Sequence, residues 1–153
     1  MEQIIIRETP FDDPAVRRLI ELAMAELSSR YGGTGDDTPV AATDFAPPTG
    51  AFFVAEDTTG HLVGCAGWRA HGDDAELKRM FTIEAARGRG VARAVLAAIE
   101  DSARERGCKR VILETGDRQP EAIALYEKCG YERIEDFGYY KGEPGVLSYA
   151  RVL

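Results

Sequence analysis

Apolar positions change their spacing along this chain, and each spacing predicts an element. Residues 2–8, EQIIIRE, are a short run rich in Ile, which reads as a strand. From 12 to 30 the period becomes helical. Val16, Leu19, Ile20, Ala23 and Leu27 fall on one face, with Asp12 or Asp13 as the cap and Pro14 in the first turn. Residues 31–50 have no period and are rich in Gly, Pro, Asp and Thr. A loop of that length in a small domain is usually functional or mobile, and a lid is one use for it. Strands are predicted over 51–57 and 61–70, with a hairpin turn at Asp57–Gly60 between them. A second turn at 71–74 leads to a strand over 75–83. A helix follows to about Arg106, with Val91, Val95, Ala98, Ile99 and Ser102 as its stripe and Gly107 past its end. KRVILET, 109–115, is a strand. Residues 119–129 are a helix with Pro120 in its first turn and Gly130 beyond it, and 131–153 hold two strands around a turn at 141–145. This order predicts one α/β (α+β) domain over 1–153, with about seven strands in a mixed, mostly antiparallel sheet flanked by helices.

Composition narrows the partners. A net charge of −7 argues against non-specific binding to nucleic acid or an anionic membrane and mildly favours a cationic partner such as an amine. No apolar run approaches the roughly 18 residues of a transmembrane helix, and the start, MEQIIIRETP, has no signal-peptide pattern. Cys65, Cys108 and Cys129 are odd in number and widely spaced, which predicts neither a disulfide framework nor a zinc site, and a cytoplasmic location.

The chemistry-bearing stretch is Arg87-Gly88-Arg89-Gly90-Val91-Ala92, set between a strand and a helix. A helix N-terminus carries unpaired N–H groups and about half a positive charge. Glycine lets main chain approach a ligand closely, so the turn suits a phosphate. The alternative is a surface turn whose arginines only aid solubility. The dinucleotide fingerprint fails, because Arg93 stands where the third glycine belongs, and no Walker A pattern is present.

RGRGVA resembles the Q/R-x-x-G-x-G/A signature of the GNAT acetyltransferase superfamily, ELKRMFTIEAARGRGVARAVL its central strand, turn and helix, and ETGDRQPEAIALYEKCGYERI its next strand and helix. The similarity covers about residues 50–135. It implies the GNAT-type fold, acetyl-CoA as cosubstrate, and N-acetyl transfer to a primary amine by direct attack through a tetrahedral intermediate. The resemblance places the pyrophosphate on the main chain of Arg87, Gly88, Arg89, Gly90, Val91 and Ala92, and the pantetheine arm along Met80, Phe81 and Thr82. It makes the Met80 N–H the oxyanion donor, Glu76 the base (with a water chain or His71 as the alternatives) and Tyr126 the general acid, with Tyr139 and Tyr140 as competitors. By strand alternation Glu76, Lys78 and Met80 share one face. The family's asparagine before the last helix is absent. Gln119 either reaches the cofactor in its place or caps the helix.

For the acceptor, the fold suggests Tyr31, Phe45, Trp68, Arg69, Lys78, Arg79, Glu114, Thr115, Tyr139 and Tyr140 as walls. Arg69, Lys78 and Arg79 suit an amine that also bears a carboxylate, whereas Glu76 and Glu114 suit a simple cation. A small-molecule amine is the expected acceptor, and a protein N-terminus or lysine is the alternative. Two other classes stay open, a non-catalytic acyl-CoA-binding module and an unrelated nucleotide binder. The chain is expected to be a monomer or a homodimer.

Overall fold

The computed structural model describes residues 3–153. The predicted strand began at Glu2, which lies outside them. The described elements are β1 (Ile5–Glu8), α1 (Pro14–Tyr31), β2 (Gly50–Glu56), β3 (Leu62–His71), β4 (Asp74–Thr82), α2 (Val91–Glu105), β5 (Arg110–Gly116), α3 (Pro120–Lys128), β6 (Glu132–Ile134) and β7 (Val146–Val152). This is the order that the periodicity predicts. Short 3-10 turns at Ala42–Phe45 and Glu84–Ala86 are additions. Of the two candidate caps, Asp13 acts: its Oδ1 accepts the Ala15 N–H at 2.8 Å. Such a cap contributes about 1 kcal/mol.

The seven strands form one sheet in the order β1-β2-β3-β4-β5-β7-β6. Only β4 and β5 run parallel, and they pair only at Ala75–Val111 and Glu76–Ile112. Beyond Glu76 the two strands part. Alternation decides which side chains face which helix. On β2, Ala51 and Ala55 join the core under α2, while Phe52 and Val54 join Val16 and Leu19 of α1 on the other face. Trp68 is buried, and its indole N–H donates to Ser102 of α2 at 2.9 Å.

One expectation about β4 is corrected. Between Cys65 and Gly67 the β3–β4 register shifts, and Arg79 and Met80 have no paired residue on β3. Arg79 sits at φ 59°, in the left-handed region. The extra residue is a β-bulge, and it reverses the side-chain phase. Met80 therefore packs in the α2 core and Phe81 against the α1 core. Glu76 and Lys78 do not share a face with Met80. A non-glycine residue at positive φ costs roughly 1–2 kcal/mol. Here it is held by Arg79's ion pair with Asp36 and its hydrogen bond to Thr38 O at 3.0 Å.

Candidate functional site

Two structures flank the parting of β4 and β5. One is the turn at the head of α2. Gly88 and Gly90 take φ of 79° and 82°, conformations that cost glycine least, and no atom lies within 4 Å of the Cβ either would carry. Gly90 is the N-cap of α2, and no side chain caps it. Ala94 N–H donates to Gly90 O. Among the described residues no acceptor takes the N–H groups of Gly88, Gly90, Val91 or Ala92. Open main-chain donors at a positive dipole end fit a phosphate.

Arg87 departs from its expected place in the cradle. Its N–H donates to Glu84 O, its Nε donates to Thr82 O at 3.1 Å, and its guanidinium pairs with Glu26 of α1 and lies over the Phe81 ring. Both its main-chain donor and its side chain are already engaged, so Arg87 braces the end of β4. Gln119 is the N-cap of α3 but makes no side-chain cap bond, which removes the capping alternative.

Beyond Glu76 no strand covers the β4 edge that faces β5. Tyr126 of α3 stands beside that stretch. Its hydroxyl lies 3.6 Å from Met80 Sδ, and its ring packs near Tyr131 and Tyr149. Burial pushes the Tyr126 hydroxyl well above the ordinary tyrosine range, so it keeps its proton at neutral pH.

The second structure is a cavity of about 560 Å³ on the α1 side of the sheet. Four stretches line it: Leu27 and Tyr31 of α1, Gly35–Asp37, Glu114–Gly116 with Gln119, and Tyr139–Val146 in part. Four of the lining residues are acidic (Asp36, Asp37, Glu114 and Glu143), and none is Lys or Arg.

The acceptor candidates divide here. Tyr31, Glu114, Thr115, Tyr139 and Tyr140 line the cavity. Phe45 and Trp68 are core residues. Arg69 pairs with Asp44 and Glu76. Lys78 Nζ donates to Thr38 Oγ1 at 3.0 Å and lies 3.7 Å from Asp36 and 3.9 Å from Glu76. Burial pulls the Lys78 ammonium below the ordinary lysine range, against the upward pull of Asp36 and Glu76. The three cations expected to receive a carboxylate are thus occupied inside the fold. Glu76 is buried against two of them. His71 is exposed at the β3–β4 hairpin, edge-on to Phe137.

Asp36, which has no periodic pattern around it to mark it, proves central. It pairs with Lys78 and Arg79, and its Oδ1 accepts from Tyr140 Oη at 2.8 Å and Thr38 Oγ1 at 2.6 Å. Tyr140 Oη in turn accepts the Asp37 N–H at 2.7 Å. Burial works to raise the Asp36 carboxyl, but Lys78, Arg79 and the Thr38 bonds outweigh it and hold it below the ordinary value. Burial and the Asp36 bond push the Tyr140 hydroxyl up to about 12. The loop after α1 is therefore fastened to β4 and to the loop before β7, and Phe45 anchors it in the core. Among the described residues no cluster of His, Cys, Asp or Glu could hold a metal ion, and no helix is long and apolar enough to cross a membrane.

The model of the Acetyltransferase (GNAT) family matches residues 16–131. An IAA acetyltransferase of Azospirillum brasilense is 38% identical over 142 residues, covering 92% of this chain and 91% of that protein. An uncharacterised N-acetyltransferase of Escherichia coli (strain K12) is 34% identical over 144 residues, covering 86% of this chain and 83% of that protein. Among solved structures, a candidate acyl-CoA N-acyltransferase of Klebsiella pneumoniae superposes with a TM-score of 0.81 at 27% identity, over 99% of this chain and 98% of that one.

Proposed function

Because the chain belongs to the GNAT acetyltransferase family, acyltransferases that use acetyl-CoA, we propose that its acceptor is the primary amine of a small cationic molecule. One observation carries this reading: the cavity beside the parted strands is lined by four acidic residues, of which only Asp36 is paired with Lys78 and Arg79, and by no Lys or Arg. A cation is favoured there, and an amine that also bears a carboxylate is repelled. The IAA acetyltransferase relative is named for a small molecule.

The cosubstrate fits the opposite side. Its pyrophosphate suits the open N–H groups of Gly88, Gly90, Val91 and Ala92. Arg89 lies on the same exposed turn. Its pantetheine arm suits the uncovered β4 edge along Met80, Phe81 and Thr82, with Gln119 and Tyr126 on the α3 side. Acetyl-CoA supplies an activated acyl group with a thiolate leaving group.

The protein's share is orientation and proton control. The Met80 N–H, freed from the β3 pairing by the bulge, is the donor for the developing oxyanion; such a donor is worth about 10²–10³ in rate. Tyr126 holds its proton through burial and can deliver it to the departing sulfur. Two carboxylates compete to deprotonate the amine, Glu76 on β4 and Glu114 on β5. Glu76 acts only if Arg69 and Lys78 leave it a free lone pair.

Thiol release from acetyl-CoA across a panel of amines tests the acceptor class. Small diamines and monoamines should accelerate release, and amino acids should do so far less. Release with peptides alone would overturn the small-molecule reading.

A further inference from the structure

Glu114 stands on β5 two residues past Ile112, the last position paired with β4, and so at the start of the parted region. It shares the face of Ile112 and lines the cavity. Its Oε2 accepts the Tyr140 N–H at 3.0 Å. Its Oε1 is shut off from solvent and has no hydrogen-bond partner among the described residues. Buried carboxylate oxygens are rarely left in this state, and each exception calls for an explanation, such as strain, a bound water or ion, or a catalytic role. The fold makes room for it: a Cβ on Gly138 would stand 2.6 Å from that same oxygen. The contrast with Glu76 is direct, since Glu76 faces two cations and does not line the cavity.

Resting on the reading that an amine occupies this cavity, we propose that Glu114 holds the acceptor's ammonium group and takes its proton. In that step one N–H bond of the ammonium breaks. The proton passes to the Glu114 carboxylate, which becomes a neutral acid, and the nitrogen keeps the electron pair as a free amine. The proton then leaves to solvent when the acid re-ionises.

The groups facing Glu114 agree with this role. They are Lys78 and Glu76 from β4, Asp36 from the loop after α1 and the Tyr140 N–H from the loop before β7, with Tyr31 of α1 on the same cavity wall. Burial raises the Glu114 carboxyl above the ordinary value. The Tyr140 bond and Lys78 oppose this, and Glu76 and Asp36 add to it. A base is most useful when its pKa approaches the working pH.

The test uses wild type, Glu114→Gln, Glu114→Asp and Glu76→Gln, with n-butylamine and 1,4-diaminobutane as probes. Melting is read with each amine alone and with acetyl-CoA alone, and kcat/KM is read against pH. In wild type the amine-induced shift and kcat/KM should both rise with pH as Glu114 ionises. Glu114→Gln should lose the amine shift and the acidic limb of the profile, and kcat/KM should fall about 100-fold or more. It should keep its acetyl-CoA shift. Glu114→Asp should recover part of the rate, and Glu76→Gln should keep the acidic limb. The proposal is overturned if Glu114→Gln keeps the limb, if Glu76→Gln removes it, or if wild type and Glu114→Gln respond alike to the amines. Failure of every small amine to release thiol would instead overturn the acceptor class, and Glu114 is then judged by the amine shift alone.

Discussion

The turn at the head of α2 and the cavity beside α1 present opposite electrostatic surfaces, and they are built from different material. In the proposed function the turn receives an anion with main-chain N–H groups, a helix dipole and two glycines, all within residues 87–92. In the proposed function the cavity receives a cation with side chains brought from α1, the loop after it, the end of β5 and the loop before β7. Main-chain binding needs only local geometry, so the turn is built by contiguous residues. Side-chain binding of a shaped ligand needs groups from several directions, so the cavity depends on the whole sheet. The lesson is that the two halves of the site should fail differently when altered.

Tyr126→Phe tests the seam between them. It removes a hydroxyl whose one hydrogen bond among the described residues is to Met80 Sδ, so stability should change little while kcat falls about 10²–10⁴-fold with acetyl-CoA affinity intact. Pre-steady-state thiol release would show it, and an unchanged kcat would remove Tyr126 as the acid. Asp36→Ala attacks the cavity side. It leaves Lys78 and Arg79 buried without their shared anion, and breaking such a buried pair costs about 3–5 kcal/mol. At about 2–4 °C per kcal/mol for a chain of this size, the melting temperature should drop by roughly 10 °C. The Asp36 carboxyl is lowered in the fold. Its stabilisation is therefore complete above the ordinary value of 3.8 and is lost as pH falls through the lowered value. An acid titration of wild type beside Asp36→Ala should show that loss only in wild type.

Gly90→Asp attacks the other side. It places a carboxylate and a strained backbone in the phosphate cradle and should weaken acetyl-CoA binding about tenfold to a hundredfold, since one N–H bond to a charged acceptor is worth about 1.5–3 kcal/mol. Amine-induced stabilisation should survive, and calorimetric titration separates the two. The smallest effect belongs to Glu114→Gln without ligand. A raised carboxyl contributes stability below its unfolded value of 4.5, and that contribution is lost as pH rises through the folded value. The variant should therefore melt slightly above wild type at pH 7 and level with it below 4.5. A variant that melts lower at pH 7 would mean that the carboxylate is satisfied in the fold.

The legible and illegible parts of the site follow the same division. The glycine turn proposed for the phosphate could be located from six consecutive residues, and the proposed acid Tyr126 from its place in the AIALYEKCGY helix pattern. The β4 bulge could not. Arg79 is not a residue type that signals positive φ, so simple alternation put Met80 on the wrong face. The partners of Arg69, Lys78 and Arg79 were equally hidden. Asp36 and Asp44 lie in a stretch without period, roughly 25–45 residues earlier in the chain.

The sequence by itself determined the order of strands and helices, the glycine turn at the head of α2 and the family, because each rests on periodicity or on neighbours along the chain. Only the tertiary structure decided that the loop after α1 is fastened by Asp36, that the basic residues of β3 and β4 are paired with carboxylates, and that Glu114 keeps an oxygen without a partner among the described residues. Those facts depend on which groups meet in the fold, as Asp36 meets Arg79, 43 residues on, and Tyr140, 104 residues on. Burial makes such meetings energetically decisive, and sequence spacing does not record them.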